Sequence, residues 1–125
     1  MCRVLLADDD LVQLDLRKQV LESAGHEVKV AFSPAQTLRQ LEPGWAKMLI
    51  MDLRFPDAEG TPDCRQGLAL IRSIRERGYT GPLVVLSGWP EELYGEPEEK
   101  MVSRVMVKPV AARELLAAIG ELALV

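Results

Sequence analysis

The chain has 125 residues, 48% of them hydrophobic, and its 19 acidic and 15 basic side chains leave a formal charge of −4. That length suits one domain with one sizeable core, and the composition is that of a globular chain. The acidic balance argues against nucleic acid as a direct partner. No apolar run reaches the length of a membrane span and no secretory leader opens the chain, so the expectation is a cytoplasmic protein with no membrane contact. Cys2 and Cys64 have neither metal-ligand spacing nor the count of a disulfide framework, and two free thiols are expected. No internal repeat or linker divides residues 1–125, which are expected to form a single domain.

Strand-like and helix-like segments alternate along the chain. The apolar run 3–7 reads as a strand, and it ends abruptly in Asp8, Asp9 and Asp10. From Leu11 to Ala24 the period is helical, with Leu16, Val20 and Ala24 at four-residue steps and Leu21 beside them, and Gly25 stops the run. Residues 26–31 alternate, with Val28 and Val30 on one face. His26 lies in the turn before them and is expected at the surface. Ser33 is an N-cap and Pro34 a first helical residue for a helix to Leu41, with Trp45 packing at its end. Residues 47–52 read as a strand, and after a long loop 67–77 reads as a helix. A strand at 82–87 follows, then a poor helix at 90–102 broken by Gly95 and Pro97. A strand at 104–107 comes next, and a last helix begins at Pro109 with Leu115, Leu116, Ile119 and Leu122 as its apolar stripe.

Five strand–helix alternations predict a parallel sheet with helices on both faces. The first, third and fourth strands are apolar throughout, as strands buried on both faces must be. The second carries Glu27 and Lys29, and the fifth is flanked by Ser103 and Arg104, so these two read as edges. The pattern fits a flavodoxin-like doubly wound (βα)₅ sheet of order 2-1-3-4-5, in which ligands bind at the carboxyl ends of the strands.

Those ends carry the chemistry. The first strand delivers Asp8, Asp9 and Asp10, the third Asp52, the fourth Ser87 and the fifth Lys108. Three adjacent carboxylates at the mouth of a core repel one another and lose solvation, so they need a positive partner. Hard oxygen ligands grouped in this way suit Mg²⁺, with Lys108 adding a second positive charge. Capping the first helix needs one carboxylate, and Asp10 is assigned that task.

Taken together, VLLADDD, LIMDLRFP, PLVVLSG and VMVKP resemble the receiver domain of two-component response regulators, of the single-domain chemotaxis type, over essentially the whole chain. The resemblance implies that Asp52 is the phospho-acceptor, that Asp9 ligates Mg²⁺ directly, that Asp8 orients metal-bound water, and that the backbone carbonyl of Arg54 is a further ligand. It also implies that Ser87 hydrogen-bonds the phosphoryl group, that Lys108 pairs with Asp52 and then with a phosphoryl oxygen, and that the Lys108–Pro109 bond is cis. The implied partners are a histidine kinase or phosphotransfer protein and a downstream protein target. The implied catalysis is limited to the chain's own phosphorylation and dephosphorylation. Arg54 and Trp89, each two residues past a strand end, are expected at the pocket rim; the alternative has Trp89 packing down on the fourth helix.

Three features depart from the pattern. Val105 stands where receivers usually carry a Phe or Tyr, the fourth helix contains breakers, and the loop spanning 57–66 is about seven residues longer than the usual turn, either an ordered lid or a flexible excursion. These departures keep a second reading open, a phosphorylation-independent interaction module on a receiver fold. An FMN-binding flavodoxin shares the fold, but carboxylates stand here where its phosphate loop would be. No output domain is read in these residues, which are either a stand-alone receiver or one cut from a longer chain.

Overall fold

A computed structural model describes residues 1–123; the last two residues of the expected domain lie outside the described residues. The elements are β1 (Arg3–Ala7), α1 (Leu11–Ser23), β2 (Glu27–Ala31), α2 (Pro34–Leu41), β3 (Met48–Asp52), β4 (Phe55–Pro56), β5 (Pro62–Asp63), α3 (Cys64–Glu76), β6 (Leu83–Ser87), β7 (Arg104–Val107) and α4 (Ala112–Ala123). β2, β1, β3, β6 and β7 form one parallel sheet in that order. This is the expected order 2-1-3-4-5, since β4 and β5 form a separate two-stranded hairpin.

Alternation along the strands divides the core into two layers. Leu5, Leu49, Met51 and Val85 point to the side covered by α3, where they meet Leu70, Ile71 and Ile74. Val4, Leu6, Ile50, Val84 and Leu86 point to the other side and meet Leu14, Leu21, Leu115 and Ile119 of α1 and α4. Strand segments buried on both faces must be apolar, which is why residues 4–7, 48–51 and 83–86 are. No helix among the described residues is long and apolar enough to cross a membrane.

Several expectations need correction. In α1 the buried residues are Leu14 and Leu21, whereas Leu16 and Ala24 are exposed. The rows Leu14–Arg17–Leu21 and Leu16–Val20–Ala24 both have helical spacing, and packing chose the first. α3 starts at Cys64, three residues earlier than expected, because Asp63 accepts from the Arg65 N–H and caps it. Gly67 therefore lies inside the helix, where a Cβ would stand 1.9 Å from the Leu53 carbonyl oxygen, so only glycine lets α3 approach the chain leaving β3.

The long loop is ordered. Phe55 pairs with Asp63 and Pro56 with Pro62, Asp57 accepts from the N–H groups of Glu59 and Thr61, and Phe55 is fully buried. In place of a helix over 90–102 there are two short 3₁₀ turns, Pro90–Glu92 and Pro97–Met101, since Gly95 and Pro97 leave no uninterrupted run for α-helical bonding. The last helix begins at Ala112 rather than Pro109. His26 is half-buried rather than at the surface: its Nδ1 accepts from the Cys2 N–H at 3.0 Å, and burial pushes its pKa down. Trp45 packs on the core with the Lys29 ammonium 4.6 Å from its ring centroid. Both cysteines are free.

Candidate functional site

Parallel strands deliver their carboxyl ends to one rim, and the fold brings the expected residues together there. Asp8 follows β1 directly and is only 2% exposed. Its Oδ1 accepts from the Asp10 N–H at 2.9 Å. Its Oδ2 accepts from Arg17 Nη1 at 2.7 Å and lies 4.0 Å from Lys108 Nζ. Asp10 points away and caps α1, accepting from the N–H groups of Val12 and Gln13, as expected. Asp9 is exposed. Desolvation, with the charges of Asp8 and Asp10 adding to it, raises the Asp9 pKa above the usual carboxylate range.

Asp52 ends β3 and faces Lys108, whose Nζ is 3.1 Å from Oδ2. Burial pushes the Asp52 pKa up, and the Lys108 charge works against that rise. The Arg54 N–H approaches Asp52 Oδ1 at 3.4 Å. One carboxylate oxygen from each of Asp8, Asp9 and Asp52 lies within 4.8 Å of the others. Three hard oxygens from two neighbouring strand ends form a donor set of the kind that suits a small divalent cation.

Ser87 ends β6 and is buried. Its Oγ accepts from the Trp89 N–H at 2.9 Å, which leaves the hydroxyl hydrogen available for donation. The Lys108 N–H donates to the Ser87 carbonyl at 2.9 Å, which ties β7 to β6 at the rim. The Lys108–Pro109 peptide is cis, as the resemblance implied.

Arg54 and Trp89 meet each other at the rim. The guanidinium carbon lies 3.6 Å from the indole centroid, and Nε and Nη2 each donate to Glu92 at 2.9 Å. Its hydrogen bonding to the Glu92 carboxylate is the main reason the Arg54 pKa is raised. Trp89 remains 49% exposed against Arg54, and a 3₁₀ turn, Pro90–Glu92, follows it where the fourth helix was expected to receive it in the alternative reading. Val105 is half-buried against the core layer under α3, with no ring at that position.

Sequence reasoning missed two residues, Arg17 and Glu92. Arg17 answers the opening electrostatic problem along with Lys108: these are the cations within 4.0 Å of the three carboxylates among the described residues. Its signal was its position, three residues after Leu14 and four before Leu21, where an apolar side chain would be expected. Glu92 pairs with a residue 38 positions away and left no local signal.

Comparison with known proteins agrees with this geometry. The family model of the response regulator receiver domain matches residues 4–120. The sensory/regulatory protein RpfC of Xanthomonas campestris pv. campestris is 31% identical over 97% of this chain, which spans 16% of that protein. The DNA-binding transcriptional regulator NtrC of a Bradyrhizobium species is 25% identical over 94% of this chain, which spans 23% of it. Among solved structures, a CheY-like receiver domain protein from Methanospirillum hungatei superposes with a TM-score of 0.79 at 25% identity, over 98% of this chain and 94% of that one. The response regulator TrrA of Thermotoga maritima, solved with Mg²⁺ and BeF, superposes with a TM-score of 0.82 at 21% identity, over 98% of this chain and 99% of that one. With a matched family model over nearly all its length, the fold order and the strand-end carboxylates in place, the chain belongs to the response regulator receiver domains of two-component systems.

Proposed function

We propose that the chain is a phospho-acceptor switch in which Asp52 takes a phosphoryl group from a phosphohistidine of a histidine kinase or phosphotransfer protein. The observation that carries this reading is the meeting of Asp8, Asp9 and Asp52 oxygens within 4.8 Å, with Lys108 3.1 Å from Asp52. An ionised Asp52 oxygen forms the new P–O bond while the phosphorus–nitrogen bond of the donor breaks, and the imidazole leaves with the electron pair. Lys108 favours the ionised acceptor before transfer and pairs with a phosphoryl oxygen after it. Ser87 donates its free hydroxyl hydrogen to the phosphoryl group.

Asp9, Asp52 and the backbone carbonyl of Arg54 would hold Mg²⁺, with Asp8 orienting water beside it, and the ion would screen the charge of the incoming phosphate. Catalysis is confined to the chain's own phosphorylation and dephosphorylation; it is not an enzyme for other substrates. The signal passes to a downstream protein, and the site of action is the cytoplasm, where two unpaired thiols also belong.

The test is acetyl phosphate with Mg²⁺, borohydride trapping and mass spectrometry. Wild type should be labelled at Asp52, and Asp52→Ala should stay unlabelled. A label elsewhere, or none, would favour the second reading, a docking module independent of phosphorylation. Val105 in place of a ring is the observation on that side.

A further inference from the structure

Arg17 sits on the sheet-facing row of α1 between Leu14 and Leu21, with a side chain only 15% exposed. A cation so placed loses much of its hydration and needs a close partner. It has one in Asp8 Oδ2, at 2.7 Å. That same oxygen lies 4.0 Å from Lys108 Nζ, which in turn touches Asp52. The oxygen therefore faces the pocket, and Arg17 has taken it. The other Asp8 oxygen is engaged by the Asp10 N–H.

Three carboxylates with Lys108 alone would present a divalent cation with two excess negative charges; Arg17 leaves one. Arg17 also lines a groove of about 520 Å³ between α1 and α4, together with Gln13, Leu16, Val20 and Val110. A guanidinium released from Asp8 has open space there.

We infer that Arg17 is a resident counter-ion that competes with the divalent cation for Asp8 and so sets a weak metal affinity for the phosphorylation pocket. Arg17 is a positioning residue: it holds the Asp8 carboxylate and touches neither Asp52 nor the phosphoryl donor. The inference rests on the Mg²⁺-assisted reading above. It extends that reading by making metal binding and release of Arg17 a single equilibrium, because the water of a bound cation and the guanidinium compete for the same Asp8 oxygen.

The test is calorimetric titration of Mg²⁺ into wild type, Arg17→Met, Arg17→Gln and Arg104→Gln. Arg17→Gln keeps N–H donors toward Asp8 and covers the case in which Arg17→Met does not fold. Arg104→Gln removes a cation paired with Glu121 away from the pocket. Both Arg17 variants should bind Mg²⁺ roughly fivefold to tenfold more tightly than wild type, while Arg104→Gln should match wild type. Mg²⁺ should also raise the melting temperature of the Arg17 variants by more than that of wild type, which a merely structural role would not produce. If wild type binds Mg²⁺ and folded Arg17 variants bind no more tightly, or if Arg104→Gln tightens equally, the competition is overturned and the phospho-acceptor reading stands. If no form binds Mg²⁺, both are overturned.

Discussion

The Arg54 guanidinium carbon lies over the Trp89 ring, 3.6 Å from its centroid, while its fork donates to Glu92. The stack joins the chain leaving β3 to the chain leaving β6, immediately beside Asp52 and Ser87. Both pieces of the rim are thus held by one side chain that also suits phosphoryl oxygens. On the proposed reading, a phosphoryl group on Asp52 would give Arg54 a second anionic partner in competition with Glu92.

Trp89 should report that competition. In a Trp45→Phe background, so that Trp89 is the sole indole, beryllofluoride with Mg²⁺ should change its emission, and Arg54→Ala should abolish most of the change. Trp89→Ala should shorten the phosphoryl lifetime several-fold if, on the proposed reading, the indole covers the path of attacking water. Glu92→Gln should lengthen it by freeing Arg54. An unchanged rate of phosphoryl loss in both variants would remove the stack from the site. Stability should hardly move in Glu92→Gln, since a partly exposed ion pair contributes roughly 0–1 kcal/mol.

Asp8 and Asp9 are neighbours and should make opposite contributions to stability. Asp8→Ala strands a mostly buried Arg17 and should destabilise the metal-free protein by about 2 kcal/mol. Asp9→Asn relieves repulsion from Asp8 and Asp10 and should stabilise it by ~0.5 kcal/mol after solvent screening. Urea denaturation in a chelator measures both, and equal signs would contradict the electrostatic account. Asp9→Asn should nevertheless bind Mg²⁺ more weakly than wild type.

The acid side of the stability curve should depend on Glu98. This carboxylate is 3% exposed and paired with Arg72, whose hydrogen bond is the chief reason its pKa lies below the usual range. A depressed carboxylate contributes stability that is present above its unfolded pKa and disappears as pH falls through the lower folded one. Wild type should therefore lose stability as pH drops below the ordinary glutamate range. Glu98→Gln should be less stable than wild type near neutrality and show a smaller acid-side loss. Thermal melts at a series of pH values would reveal parallel curves if the pair is irrelevant.

Hydrogen exchange should localise the response to phosphorylation. Val105 has no ring to swing, and the segment before β7 consists of 3₁₀ turns rather than a helix that could shift as a body. The hairpin after β3 is closed by its own backbone bonds and Asp57. With beryllofluoride, protection should change in residues 54–56 and 88–93 and remain constant in 104–107. A large change across β7 would show that another two-state element replaces the aromatic switch.

The central strands were legible because burial on both faces demands apolar residues, a requirement visible in the runs VLLA, MLIM and LVVL. The residues at the rim were legible for a related reason. In a parallel sheet every strand ends on the same side, so the residue after each apolar run goes to a common place, and the sequence alone groups Asp8, Asp52, Ser87 and Lys108. Asp63 shows where this stops. It follows Pro62 in a polar stretch, and its cap on the Arg65 N–H starts α3 three residues before the apolar period begins, in a helix that Gly67 allows close to Leu53. Leu16 and Leu14 make the same point within α1, since both belong to rows of helical spacing and only the sheet selects between them. Arg17 and Glu92 lay furthest from view. Their partners are nine and 38 residues away, and nothing in a local pattern tells a charged side chain which distant opposite charge it will meet. Hydrophobic periodicity is written into neighbouring residues; electrostatic pairing across the fold exists only once the helices have docked.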